Sequence, residues 1–151
     1  MAVQVVQELA GEQMPRRRRE NLVGELSQGV VRHAEIIQKL LTNEGAACDR
    51  VADGLQALRQ FEAAADGTYD VILMDMQMPV MDGCEAARAI RASGREDAEN
   101  IPIIAMTANS FDDVRERIFE AGMNGYLGKP VEPGKLACVV RAAKEGSAPC
   151  M

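Results

Sequence analysis

Apolar residues along this chain change their spacing at intervals, and each change marks one element giving way to another. Between Val31 and Asn43 they fall at 34, 37, 40 and 41, with Glu35 and Lys39 four apart, which predicts an amphipathic helix closed by Gly45. Cys48 to Ala52 is a short, weakly patterned strand. Asp53-Gly54 then turns the chain into a helix marked by Leu55, Leu58 and Phe61, and Asp66-Gly67 closes that unit. Tyr69 to Met74 ends in the continuous run Val71-Ile72-Leu73-Met74, the pattern of a strand covered on both faces. Asp82-Gly83 opens a helix to about Ser93, with Glu85 placed for a capping box. Gly94 to Asn100 is polar and predicts a loop. Ile101 to Met106 is a second apolar strand, with Pro102 near its start. Ser110 and Asp113 repeat the capping-box spacing before a helix to Ala121. Gly125 to Gly128 predicts a short strand and Pro133 to Lys144 a last helix. Strands alternating with helices of this length define parallel βαβ units in an open, doubly wound α/β sheet.

Upstream the pattern is poorer. Residues 2 to 13 suit a short helix with Val3, Val6 and Leu9 on one side, stopped by Pro15 and followed by the basic run Arg16 to Arg19. The expected division is an extension over 1–20, one domain over 21–145 and a tail over 146–151. At 151 residues, 47% hydrophobic and 26% charged, the chain suits one soluble domain with a single core. Its net charge of −6 argues against nucleic acid as the main partner, and Arg16 to Arg19 read as a solvated linker. The N-terminus lacks a basic start and no apolar run reaches membrane-spanning length, so a cytoplasmic protein is expected. The cysteines at 48, 84, 138 and 150 form no CxxC pair, and His33 is the one histidine. Free thiols and no zinc site follow as expectations.

In an open parallel sheet, ligands bind beyond the carboxyl ends of the strands. Three chemically capable residues stand there: Asp75 after Val71–Met74, Thr107 after Ile101–Met106, and Lys129 after Gly125–Gly128. Singly, each has an ordinary reading as a turn former, a β-former or a solvated lysine. Together they suit phosphoryl transfer to a carboxylate. Asp75 supplies the oxygen nucleophile, Thr107 a hydrogen bond to a phosphoryl oxygen, and Lys129 a positive charge against the incoming group. A divalent cation such as Mg²⁺ usually completes such a site. Met74, Met76, Met78 and Met81 around the same loop read as gap-filling side chains, and Cys84 as a small helix residue.

The segments Asp-Met-Gln-Met-Pro-Val-Met-Asp-Gly (75–83), Met-Thr-Ala (106–108) and Gly-Tyr-Leu-Gly-Lys-Pro (125–130) resemble the receiver domain of response regulators, most closely those of hybrid histidine kinases. The resemblance spans roughly residues 45 to 144. It implies a five-stranded, parallel, flavodoxin-like three-layer sandwich. It makes Asp75 the acceptor of a phosphoryl group from a histidine kinase or phosphotransfer protein. Gln77 would offer a backbone carbonyl to Mg²⁺, and Tyr126 would act as the switch aromatic. The responding face would be the fourth helix, fifth strand and fifth helix of the fold, counted as in the family, and Lys129–Pro130 would be cis.

One part of the resemblance fails. Two adjacent acidic residues should end the first strand and hold the metal, but the ungapped positions are Gln28 and Gly29, after a poor strand at Leu22 to Ser27. Glu25 is three residues before Gln28, so strand alternation puts it on the other face unless the register shifts. The leading expectation is a phosphorylatable two-component receiver that changes partners. The alternative is a degenerate receiver acting as an interaction domain without phosphorylation. A haloacid-dehalogenase-type phosphatase also uses Asp, Thr and Lys after strands. It needs a second Asp where Gln77 stands.

Overall fold

The fold is taken from a computed structural model, which describes residues 3–8, 28–43, 46–76, 80–129 and 131–144. Five strands, β1 (Val3–Glu8), β2 (Ala46–Val51), β3 (Val71–Asp75), β4 (Ile103–Thr107) and β5 (Gly125–Gly128), form one sheet in the order β2-β1-β3-β4-β5. The helices are α1 (Gln28–Asn43), α2 (Gly54–Ala63), α3 (Gly83–Arg91), α4 (Glu96–Asn100), α5 (Phe111–Glu120) and α6 (Pro133–Lys144).

The continuous apolar runs are explained by two cores. Ile72 and Met74 of β3, with Ile103 and Ala105 of β4, face Phe61 of α2, Ile90 of α3 and Ile118 of α5. Val71, Leu73, Ile104 and Met106 alternate to the other face, against Ile37 and Leu41 of α1 and Leu136 and Val139 of α6. Both faces of β3 and β4 are therefore covered, so neither strand has room for a solvated position. Each of these fully buried aliphatic side chains contributes about 1.5–3 kcal/mol relative to exposure.

The first strand departs from expectation in three ways. Residues 2 to 13 suited a helix, yet Val3–Glu8 is a strand. Three valines among six residues favour extended backbone, and the gap between β2 and β3 offers hydrogen-bonding edges on both sides. The strand thus lies inside the sheet, although residues 1–20 were expected to form an extension outside it. Its direction is also reversed: β1 pairs antiparallel with both β2 and β3, with Gln4 opposite Arg50 and Leu73. The sheet is mixed, whereas β3, β4 and β5 pair in parallel as expected. The strand expected at Leu22 to Ser27 lies outside the described residues.

Smaller differences have local causes. The loop expected at 94–100 contains α4. Arg95 precedes it and donates hydrogen bonds to the Phe61, Glu62 and Ala64 carbonyls at the end of α2. Its guanidinium also pairs with Asp97 at 2.9 Å and lies 4.6 Å from the Phe61 ring centre. That anchoring supplies partners for carbonyls that a helix terminus leaves unsatisfied. Asp82 and Glu85 do form the reciprocal capping box of α3. Ser110 makes no such cap; its hydroxyl donates to the Asp113 carboxylate instead. Among the described cysteines, Cys48 and Cys84 are thiols as expected, but Cys138 is disulfide-bonded.

Candidate functional site

Asp75 is the last residue of β3 and Thr107 the last of β4, and Lys129 follows β5 directly. Because these strands run in parallel, with Asp75 opposite Met106 and Thr107 opposite Gly128, all three side chains originate at one edge of the sheet. The Lys129 ammonium donates to Asp75 Oδ2 at 2.7 Å. This contact joins residues 54 apart in sequence. Asp75 is 4% exposed and Thr107 3%, and among the described residues they are the two buried polar ones.

Backbone contacts hold this edge in register. The Met76 N–H donates to the Met106 carbonyl at 3.0 Å and the Lys129 N–H to the Thr107 carbonyl at 2.8 Å. The Thr107 hydroxyl oxygen accepts the Asn109 N–H at 3.0 Å, leaving its own proton for donation to an anion. Motif reading did not reveal that contribution from Asn109, because a backbone donor has no residue signature. Tyr126 is half-buried on β5, opposite Ala105, and packs against the core formed by α2, α3 and α5. The helices expected to flank it are α5 and α6 in the present numbering.

Two glycines bring helix N-termini close to the acceptor segment. A Cβ on Gly83 would stand 2.3 Å from the Asp75 carbonyl oxygen, and one on Gly54 would stand 2.6 Å from the Met81 carbonyl oxygen. Only a residue without a side chain permits either approach. Cys84, beside Gly83, is buried with its sulfur 4.0 Å from Met76 Sδ. Burial raises its thiol pKa above the ordinary value. For Cys48, burial and then the Asp49 charge push it up to about 12.

Among the described residues, no group of three or more His, Cys, Asp or Glu side chains is placed to hold a metal ion. Gln28 and Gly29 begin helix α1, so neither ends a strand. The reversed direction of β1 adds a further obstacle. Glu8 pairs with Ala46 at the start of β2, which is the edge away from Asp75. Gln77, Glu25 and the Lys129–Pro130 peptide bond lie outside the described residues. Asp75 is thus the one proposed metal ligand that the structure positions.

Comparison with known proteins agrees with this geometry. Residues 31–141 match the response regulator receiver domain model. The peroxide stress-activated histidine kinase mak2 of Schizosaccharomyces pombe is 38% identical over 109 residues, covering 71% of this chain and 5% of that protein. The signal transduction histidine-protein kinase BarA of Escherichia coli is 35% identical over 126 residues, covering 83% of this chain and 12% of BarA. The chain therefore spans only a small part of these relatives. Among solved structures, the receiver domain of a sensor histidine kinase from Pseudomonas aeruginosa PAO1 is 40% identical, with a TM-score of 0.62 over 74% of this chain and 87% of that one. That crystal structure has a magnesium ion coordinated in its active-site cleft.

The chain belongs to the response regulator receiver domain family. It is a receiver domain of two-component signalling, like those within hybrid histidine kinases. Receiver domains are signalling modules, which displaces the phosphatase alternative. Among the described residues, no helix is long and apolar enough to cross a membrane.

Proposed function

We propose that this receiver accepts a phosphoryl group on Asp75 from the phosphohistidine of a kinase or phosphotransfer protein and changes its protein partners as a result. The observation carrying this reading is the 2.7 Å contact between Lys129 and Asp75 at the edge where Thr107 also ends its strand. A carboxylate oxygen of Asp75 attacks phosphorus while the P–N bond breaks, and the imidazole leaves as a neutral base after taking up a proton. Lys129 stands where it offsets negative charge on the transferred group, and the Thr107 hydroxyl can donate to one of its oxygens. Tyr126 is the proposed reporter of that change to the α5–β5–α6 face, which would contact the downstream protein. A cytoplasmic location and a kinase or phosphotransfer partner belong to the same reading.

Mg²⁺ supplies charge neutralisation to phosphoryl transfer where a site for it exists. Among the described residues no group of three or more metal-ligating side chains stands there, so no step is assigned to the metal. That observation favours a second reading, a degenerate receiver that binds partners without being phosphorylated.

Intact-mass analysis after incubation with acetyl phosphate separates the two. Wild-type protein is expected to gain the mass of one phosphoryl group and Asp75→Asn none. Titrating Mg²⁺ in the same assay shows whether the rate depends on metal. No gain at any Mg²⁺ concentration rejects the phosphoacceptor reading and leaves the interaction domain.

A further inference from the structure

Cys138, in the middle of α6, is disulfide-bonded, whereas Cys48 and Cys84 keep their thiols. The sequence holds one further cysteine, Cys150, which lies outside the described residues. Cys138 is half-buried at the margin of the α6 face that Leu136, Val139 and Ala142 bury. It belongs to neither apolar core, so the packing that holds the sheet does not depend on its bond.

We propose that Cys150 is the partner of Cys138 and that the two form a reversible thiol–disulfide pair. Oxidation fastens the segment after α6 back along that helix, and reduction releases it. The reach of a disulfide imposes this path. Bonded cysteines have their Cα atoms within about 7 Å of each other. A helix continued from Cys138 to Cys150 would set them about 18 Å apart. α6 ends at Lys144, about 9 Å along the helix from Cys138. Residues 145–150 can extend to about 20 Å, enough to turn and return, and Gly146 and Pro149 among them disfavour more helix. α6 belongs to the face proposed above for partner binding, so the fastened segment covers part of that face. The pairing itself does not depend on Asp75 accepting a phosphoryl group.

Glutathione disulfide supplies the oxidising equivalents. One protein thiolate attacks a glutathione sulfur, and the glutathione thiolate that leaves takes up the proton. The second cysteine then attacks the protein sulfur of the mixed disulfide and expels a second glutathione. Two protein thiols and one glutathione disulfide thus become one protein disulfide and two glutathione thiols. Burial pushes the Cys48 thiol up to about 12 and raises that of Cys84, which keeps both poor competitors for this exchange.

The test equilibrates the full chain with graded mixtures of glutathione and its disulfide, quenches with acid, and alkylates the denatured protein with iodoacetamide. Intact mass is expected to show all four cysteines alkylated when reduced and two when oxidised, with Cys138 and Cys150 in the linked peptides. Cys150→Ser leaves α6 unaltered and should abolish the internal bond, whereas Cys48→Ser/Cys84→Ser should keep it. Oxidised wild type is expected to melt about 3–10 °C above the reduced form, a difference absent from Cys150→Ser. A loop that hung free would restrict the folded and unfolded chains alike and leave Tm unchanged. Equal or lower melting of the oxidised form therefore overturns the fastening. Four alkylated cysteines at every mixture, a bond mapping to Cys48 or Cys84, or a disulfide linking two copies overturns the pairing. A bond that glutathione does not reduce overturns its reversibility, and the switch with it.

Discussion

Substituting Gly83 by alanine tests whether the start of α3 determines where the acceptor sits. The new methyl group would lie 2.3 Å from the Asp75 carbonyl oxygen and 3.0 Å from Met76 Cα, whereas real Cβ atoms essentially never come within 3.0 Å of a neighbour. The obstacle is backbone, so no side-chain rotation relieves it. Either α3 withdraws or β3 shifts, and both are packed against the core that contains Met74, Ala86 and Ile90. Overpacking of this kind costs about 1–3 kcal/mol, partly offset by the better helix propensity of alanine. For a chain of this size the expected fall in Tm is about 3–10 °C. Gly134→Ala is the matched control, since it too sits in a first helical turn but has nothing within 4 Å of its Cβ position. That variant is expected to be neutral or slightly stabilised. Thermal and guanidinium unfolding of the three proteins, followed by circular dichroism, gives both comparisons. A Gly83→Ala protein as stable as Gly134→Ala would refute the argument, because the close approach would not then constrain the native state. Displacement of Asp75 should also slow its modification by acetyl phosphate, and that rate can be followed in the same samples.

Lys129→Met leaves the Asp75 carboxylate, whose side chain is 6% exposed, without its ammonium partner. The expected loss is about 1–3 kcal/mol, less than for a wholly buried pair because the lysine side chain is 25% exposed. Denaturant unfolding measures it, and an Asp75→Leu/Lys129→Met double variant should recover much of the loss. Asp97 has its pKa held below the ordinary 3.8, chiefly by the Arg95 hydrogen bond and then by the Gly67 N–H, against the opposing effect of burial. A depressed folded-state pKa gives stability that is present above the unfolded-state pKa and is lost as pH falls through the folded value. The stability difference between wild type and Asp97→Asn should thus be largest above about pH 4 and shrink below it, as read from denaturant midpoints across pH. Cys84 is buried with a raised thiol pKa. Iodoacetamide labelling of native protein near pH 8, read by peptide mass, should leave it largely unmodified, while denatured protein reacts.

Much of this fold was visible in the order of the residues. The runs around 71–74 and 103–106 predicted strands covered on both faces, and the structure gives each run two cores to face. Asp82 and Glu85 predicted a reciprocal cap, and local geometry suffices for one. The same spacing at Ser110 and Asp113 produced a different bond, because the serine hydroxyl met the aspartate side chain before the backbone. Position at strand ends was also enough to put Asp75, Thr107 and Lys129 at one edge, since parallel strands deliver their final residues there.

The first strand was not legible in this way. Val3–Glu8 has a pattern compatible with a helix, and it extends because β2 and β3 leave an unfilled gap whose hydrogen-bonding groups need partners. Its reversed direction, which sends Glu8 away from the acceptor edge, depends on that gap and not on its own residues. The positive φ of Val80, 68°, and the two glycine approaches are tertiary facts for the same reason: each arises where separate elements meet. Periodicity and strand-end position are local properties, so the sequence by itself determined the main elements from α1 onward and the edge at which their ends meet. Strand direction, backbone strain and close approach depend on what lies alongside, and only the folded chain decided them.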